Sequence, residues 1–314
     1  MLLRAALILG GFLLLIFHQN IQSFSPQLQF TIFLTGIVLI GIPHGAADLL
    51  VAIQNAGQSK RRFSKLSFFI NYIGRLLLFA CLIWLIPILG ILLFIVFAAY
   101  HFGETDLYNY KTDNIAGKLF VISYGLLILG IILLHHYEEV EPLLLLIDPE
   151  LKNQALLLNL QQYRYTILSF LCFLFFAITF IYFLNASANP QIHGEFLVQL
   201  LFILLILYHL PLMLGFTFYF IVWHSVLSLR NILTYLRKDE TLSSIKIAKQ
   251  ISIYSLLAMA GISLLGLGGI MFINNDTIVL YIIFGLAVLT APHMQIMHDM
   301  YSTMRSKGKD SLDI

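Results

Sequence analysis

Charge is scarce in this sequence. Of 314 residues, 18 are Lys or Arg and 16 are Asp or Glu, 11% in all, against roughly a quarter in soluble domains. The net charge of +2 is too small, and its basic residues too scattered, to make a nucleic-acid surface. Cysteine is nearly absent. Cys81 and Cys172 both lie in apolar stretches, so they form no disulfide framework and no thiolate metal site, and they read as small buried hydrophobes. Also missing are internal repeats, low-complexity linkers and any polar stretch long enough for a soluble domain. The longest polar segments, 54–66, 104–116, 136–163 and 237–249, are loops, with room for one interfacial helix over 142–162.

What remains is apolar sequence: 60% hydrophobic residues and a mean hydropathy of +0.90. Runs of spanning length, about 17–25 residues, fall near 3–17, 28–53, 67–86, 87–103, 117–135, 164–184, 196–214, 216–236, 250–273 and 277–300. The first is expected to be a retained helix, because no small-residue cleavage site follows Phe17-His18-Gln19-Asn20. The stretch 196–236 is about twice one span. A turn at Gly215 puts Arg4, Lys60-Arg61-Arg62, Lys65, Arg237-Lys238, Lys246, Lys249 and the tail Arg305, Lys307, Lys309 on one side, and Glu138, Glu139, Glu141, Asp148 and Glu150 on the other. Such a bias orients the chain with both termini cytoplasmic. The expected fold is an all-α polytopic transmembrane bundle of about 8–10 helices, ten being favoured, forming a single integral membrane domain over 1–314. It would sit in the inner (plasma) membrane with its basic residues against anionic lipid.

Histidines interrupt these runs in Pro43-His44-Gly45, Tyr100-His101-Phe102-Gly103, Trp223-His224-Ser225 and Pro292-His293-Met294. Ionisable groups inside a membrane are costly and mark functional sites. His44, His101 and His293 each lie about 15–16 residues into their runs from the outer side, which at 1.5 Å per residue is roughly 22–24 Å. His224 is somewhat shallower, and moving the turn towards Pro211 brings it level. A shared depth is what one metal site requires. Imidazoles without cysteine suit zinc, copper, iron or nickel, and in a dry pocket such a set can hold ferrous iron with positions open to O2.

Carboxylates stand where they can orient such ligands: Asp48 at i+4 from His44, Glu104 at i+3 from His101, and Asp299 beside His298. Tyr100, Phe102, Phe218, Tyr219 and Trp223 can line a tunnel for a flat polyene. Gly41, Gly45 and Gly103 suggest close approach of helices or ligand. His209 reads as a core residue, and His18, His135, His136 and His193 as solvated.

Pro43-His44-Gly45-Ala46-Ala47-Asp48, Tyr100-His101-Phe102-Gly103-Glu104-Thr105-Asp106, Trp223-His224-Ser225 and Pro292-His293-Met294 together resemble the Brp/Blh family of membrane β-carotene dioxygenases, over about residues 30 to 300. The resemblance implies an all-helical membrane enzyme whose histidine-bound Fe(2+) cleaves the central 15,15′ double bond of β-carotene with O2 into two all-trans-retinal molecules, with retinal hand-over to a rhodopsin as one destination. His44, His101 and His224 match the family's iron-ligand positions. In that pattern a second histidine follows four residues after the Trp-His-Ser histidine, whereas this sequence has Ser228. His293, which shares the depth of His44 and His101, is the favoured replacement; His298, His209 or a three-histidine site are the others. Two rival readings are a bis-histidine haem protein for electron transfer and a transporter with Asp48, Arg75 and Glu104 on its path.

Overall fold

In apolar surroundings backbone N–H and C=O groups have only one another as partners, so the apolar runs close into helices. The structure, a computed structural model, describes residues 2–21, 23–59, 62–147, 154–185, 190–237, 243–270 and 278–310, and no strand occurs among them. Its helices are α1 (Leu2–Ile16), α2 (Pro26–Gly36), α3 (Ile42–Ala46), α4 (Asp48–Gln58), α5 (Lys65–Leu85), α6 (Pro87–Asp106), α7 (Ile115–Gly130), α8 (Tyr137–Ile147), α9 (Gln154–Asn185), α10 (Pro190–His209), α11 (Leu212–Phe216), α12 (Val226–Leu236), α13 (Ser244–Ile270) and α14 (Ile278–Asp310). Among the described residues eight helices are long and apolar enough to cross a membrane. The chain is an all-α, multi-pass membrane protein. Lys60, Arg61, Asp148, Glu150 and Lys238, used above to orient it, lie outside the described residues.

Proline sets several boundaries. The break in 196–236 falls at Leu210-Pro211 and not at Gly215, which lies inside α11. The reason is local: Pro211 has no N–H to donate, and its ring disfavours a helical conformation in the residue before it. Pro87 starts α6 after the sharp turn at Ile86. Pro43 frees a carbonyl one turn earlier, and the five residues before α3, Ile37–Gly41, are π-helical. A longer π-helical stretch, Thr217–Ser225, joins α11 to α12; such widened turns are frequent at functional sites.

The chain divides into two compact units. The first comprises residues 1–40 and 110–226. Its interior is aromatic: the Phe120 ring lies 4.7 Å from that of Tyr182 and 5.7 Å from those of Tyr110 and Phe196, where α7 packs on α9. Close approach depends here on Gly11 and Gly36, where an added Cβ would come within 2.5 Å of Phe218 and 2.9 Å of Ile221. A Cβ at Gly45 would meet nothing within 4 Å, so the close packing expected there from glycine is found at Gly11 and Gly36 instead. His135 stacks on Tyr208 at 3.9 Å, His193 on Phe183 at 3.7 Å, and His136 bonds the Leu207 carbonyl at 2.9 Å. These three histidines are half-buried members of the packing and not solvated ends.

The Glu139 carboxylate accepts the backbone N–H of Leu212, its oxygens at 3.1 and 3.2 Å, and so caps α11 just after Pro211. The hydrogen bond with His136, helped by that of Leu212 and outweighing burial, holds its carboxyl below the usual range.

The second unit comprises residues 41–109 and 227–314. In it α14 packs along α4, α5 and α6, and α13 packs on α3. One apolar cluster joins Val51, Ile232, Tyr235, Met297, Met300 and Tyr301. Beside it the same helices carry buried ionisable groups.

Candidate metal centre

Three elements of the second unit each contribute a buried histidine: α3 His44, α6 His101 and α14 His293, at 4%, 2% and 8% exposure. Their rings form one cluster. The ring centres of His44 and His293 are 4.5 Å apart, those of His101 and His293 4.9 Å, and those of His44 and His101 6.3 Å. His293 Nε2 stands 2.8 Å from His44 Nε2.

Asp48 determines what that approach means. Its Oδ1 lies 2.7 Å from His293 Nδ1, and its Oδ2 accepts the Tyr72 hydroxyl at 3.1 Å. A carboxylate can only accept, so His293 carries a proton on Nδ1, and in the neutral ring Nε2 presents a lone pair. That lone pair points at a second imidazole nitrogen, a contact that calls for a shared proton or a shared cation. A carboxylate fixing one ring nitrogen so that the other is bare is how ligand histidines are held. The i+4 spacing suggested Asp48 as the companion of His44; the hydrogen bond goes to His293. Helix continuity fails between them, since α3 stops at Ala46 and α4 begins at Asp48.

His224 lies in the first unit, fully buried in the π-helical stretch, with the Phe220 ring stacked on it at 6.2 Å and 10°. Within the second unit, the buried imidazoles of His44, His101 and His293 are the side chains that could hold a metal ion. The donor set suits the ions named above: imidazole nitrogens, no thiolate, and a carboxylate already committed to orienting a ring.

A second polar cluster lies further along α6 and α14. Glu104, fully buried, takes up on Oε1 the Nδ1 of His298 at 2.9 Å, an Nη of Arg305 at 3.1 Å and the Tyr100 hydroxyl at 3.4 Å. Glu104 therefore bonds His298 and not His101. Asp299, beside His298 in sequence, instead accepts from Gln295 at 2.9 Å. His298 is engaged in this cluster, and His209 closes α10 with its ring against Tyr208.

Ser228 is fully buried and neighbours the Tyr301 hydroxyl, to which Asn231 donates at 3.3 Å. Of the aromatic residues proposed to line a polyene tunnel, Phe102 packs its ring on His101 at 6.3 Å and Tyr100 is tied to Glu104 and His298. In the first unit Tyr219, Phe218 and Trp223 are fully buried, with the Arg4 guanidinium over the Trp223 ring at 5.8 Å.

The sequence reading missed Tyr72, the pairing of Arg305 and the stacking of Phe220. Tyr72 and Arg305 carry no local signal, because their partners are 24 and 201 residues away. Phe220 stands at i−4 from His224, a spacing that places it on the same helical face and could have been used.

The family model described as beta-carotene 15,15'-dioxygenase matches residues 35–301. No curated protein and no solved structure matches. The matched span contains His44, His101, His224 and His293 together with Asp48 and Glu104, and the chain belongs to the beta-carotene 15,15'-dioxygenase family.

Proposed function

We propose that this protein is an iron-dependent dioxygenase that cleaves β-carotene at its central 15,15′ double bond with O2, giving two all-trans-retinal molecules. The reading rests on one observation above the others: His44, His101 and His293 are buried as one cluster in the second unit, with His293 Nδ1 on Asp48 and its Nε2 facing His44. His44, His101, His224 and His293 would hold Fe(2+), with His293 taking the place that Ser228 leaves. When bound, the iron supplies the O2 activation that no side chain provides.

The chain's own residues do the rest. Asp48 orients His293, and Glu104 supports His101 by tying α6 to α14 through His298 and Arg305. Phe102, Trp223, Tyr219 and the ring of Tyr100 would form the apolar walls against which a polyene lies. The substrate would enter sideways from lipid, where a hydrocarbon dissolves. As a dioxygenase reaction, cleavage balances with no proton gained or lost, so the buried carboxylates serve to orient ligands and not to carry protons. We place the protein in the inner (plasma) membrane as one integral domain with cytoplasmic termini, from which retinal can pass to a rhodopsin.

The test is expression in a bacterium that accumulates β-carotene, followed by extraction and separation of pigments. Loss of β-carotene with matching appearance of all-trans-retinal supports the proposal. Unchanged β-carotene with well-expressed protein contradicts it, and apocarotenals of unequal length would move the cleavage off centre.

A further inference from the structure

Tyr72 lies on α5, away from every motif that singled out the histidines, yet its hydroxyl donates to Asp48 Oδ2 at 3.1 Å while Oδ1 of the same carboxylate holds His293 Nδ1 at 2.7 Å. Asp48 is 3% exposed, so these two donors stand where water would otherwise stand. The line continues from His293 Nε2 to His44 Nε2 at 2.8 Å. From this geometry we infer that Tyr72 is a positioning residue that acts through Asp48 on His293, setting both the tautomer and the donor strength of that imidazole. The inference rests on the metal site proposed above and goes beyond it by assigning a role to a residue outside the site.

The physical basis is competition for one carboxylate. A buried anion is stabilised by each hydrogen bond it accepts. With both donors present, the Asp48 carboxylate divides its acceptor capacity between them. Without the Tyr72 hydroxyl the carboxylate bonds the His293 N–H alone, which strengthens that hydrogen bond and with it the donation from Nε2. Replacing the carboxylate by an amide does the reverse, since an amide oxygen still accepts the N–H but carries no charge. The two changes therefore act on His293 in opposite directions, which loss of packing does not do.

The experiment uses the full chain in detergent, as wild type, Tyr72→Phe and Asp48→Asn. Ferrous iron affinity and the ferric/ferrous midpoint potential are measured in each. A stronger donor favours the ferric state, so Tyr72→Phe is expected to lower the potential and Asp48→Asn to raise it, with iron affinity about 10–100-fold weaker in Asp48→Asn, as for other outer partners of a ligand. Shifts of the same sign, or no shift in Tyr72→Phe, overturn the inference.

A second readout is independent of iron: 15N chemical shifts of histidine-labelled, chelator-treated chain, with His293 assigned through its substitution. The proton is expected on Nδ1, with a shift that moves in Tyr72→Phe. A proton on Nε2, or a His293 signal unmoved by Tyr72→Phe, refutes the role of Tyr72 whether or not iron binds. A wild-type chain that binds no iron while showing the expected nitrogen shifts refutes the metal site and leaves the Tyr72–Asp48–His293 line standing.

Discussion

The two units differ in what they bury. The first packs rings on rings, with Tyr182, Tyr110 and Phe196 each within 6 Å of the Phe120 ring centre. The second buries Asp48, Glu104, His44, His101 and His293 at 8% exposure or less. Helix hydropathy alone does not separate them. Ring pairs hold through shape and quadrupole and need no partner, and between membrane helices such packing is the main attractive force, since burial from lipid gains nothing from water. Ionisable groups in the same surroundings are costly until paired. Asp48 accordingly bonds His293, and Glu104 bonds His298. One interior serves to hold its unit together; the other spends stability to keep reactive groups in place.

Substitutions can break that contrast, and the largest effect belongs to the histidines. His44→Ala, His101→Ala and His224→Ala should each remove bound iron and β-carotene cleavage together while the protein still folds, as read by metal analysis and product assay on the same preparations. His293→Ala should be as severe. Normal iron in His293→Ala would point to His298, His209 or a three-histidine site. Next comes Glu104→Gln, which leaves the part-buried Arg305 facing a neutral partner. Breaking a buried pair costs about 3–5 kcal/mol, and thermal unfolding in detergent should show a loss of that order, larger than the loss of iron affinity in the surviving folded protein.

Phe120→Ala addresses the first unit directly. Emptying the space of a buried ring costs about 3–5 kcal/mol in soluble cores, with the lower end expected where the surroundings are lipid, and the folded fraction should keep its iron. A variant that stays fully folded but loses iron would show that the aromatic interior takes part in the site. Ser228→Ala should be close to silent in iron content, because a hydroxyl beside Tyr301 is no iron ligand. Ser228→His combined with His293→Ala sharpens this by restoring a histidine at i+4 from His224, and partial recovery of iron is expected.

The smallest effect is a pH dependence in the first unit. The Glu139 carboxyl is held below its usual range by the His136 and Leu212 hydrogen bonds. A lowered folded-state pKa contributes stability that is full above the unfolded value of about 4.3 and is lost as pH falls through the lower folded value. Glu139 is half exposed, so the contribution should be no more than about 0.5 kcal/mol. Glu139→Gln should flatten the acid limb of the stability curve by that amount, and an unchanged limb would remove the cap from the account.

Much of this was legible from residue type alone. Histidine inside a lipid-length apolar run is so costly that position and chemistry are announced together, and His44, His101 and His293 are indeed buried as one cluster. Helix class followed from the apolar runs, and the eight candidate spans among the described residues stand at the lower end of the 8–10 expected. Spacing rules served less well wherever a helix was interrupted. The i+4 relation of His44 to Asp48 assumes a continuous helix, and the break between α3 and α4 gives Asp48 to His293. Gly215 looked like a turn because glycine permits one, but Pro211 enforces one. Partners such as Tyr72 and Arg305 were illegible because pairing across helices depends on the packing of α5 and α14, which no single run encodes.

The central claim is that the buried histidines hold iron used in cleavage, and the most direct measurement is iron per chain in purified wild type beside His44→Ala, each assayed for retinal production. About one iron per wild-type chain, with iron and retinal both lost in His44→Ala, is the predicted result. Iron-free wild type that still converts β-carotene to retinal, or His44→Ala that retains full iron and activity, would contradict it.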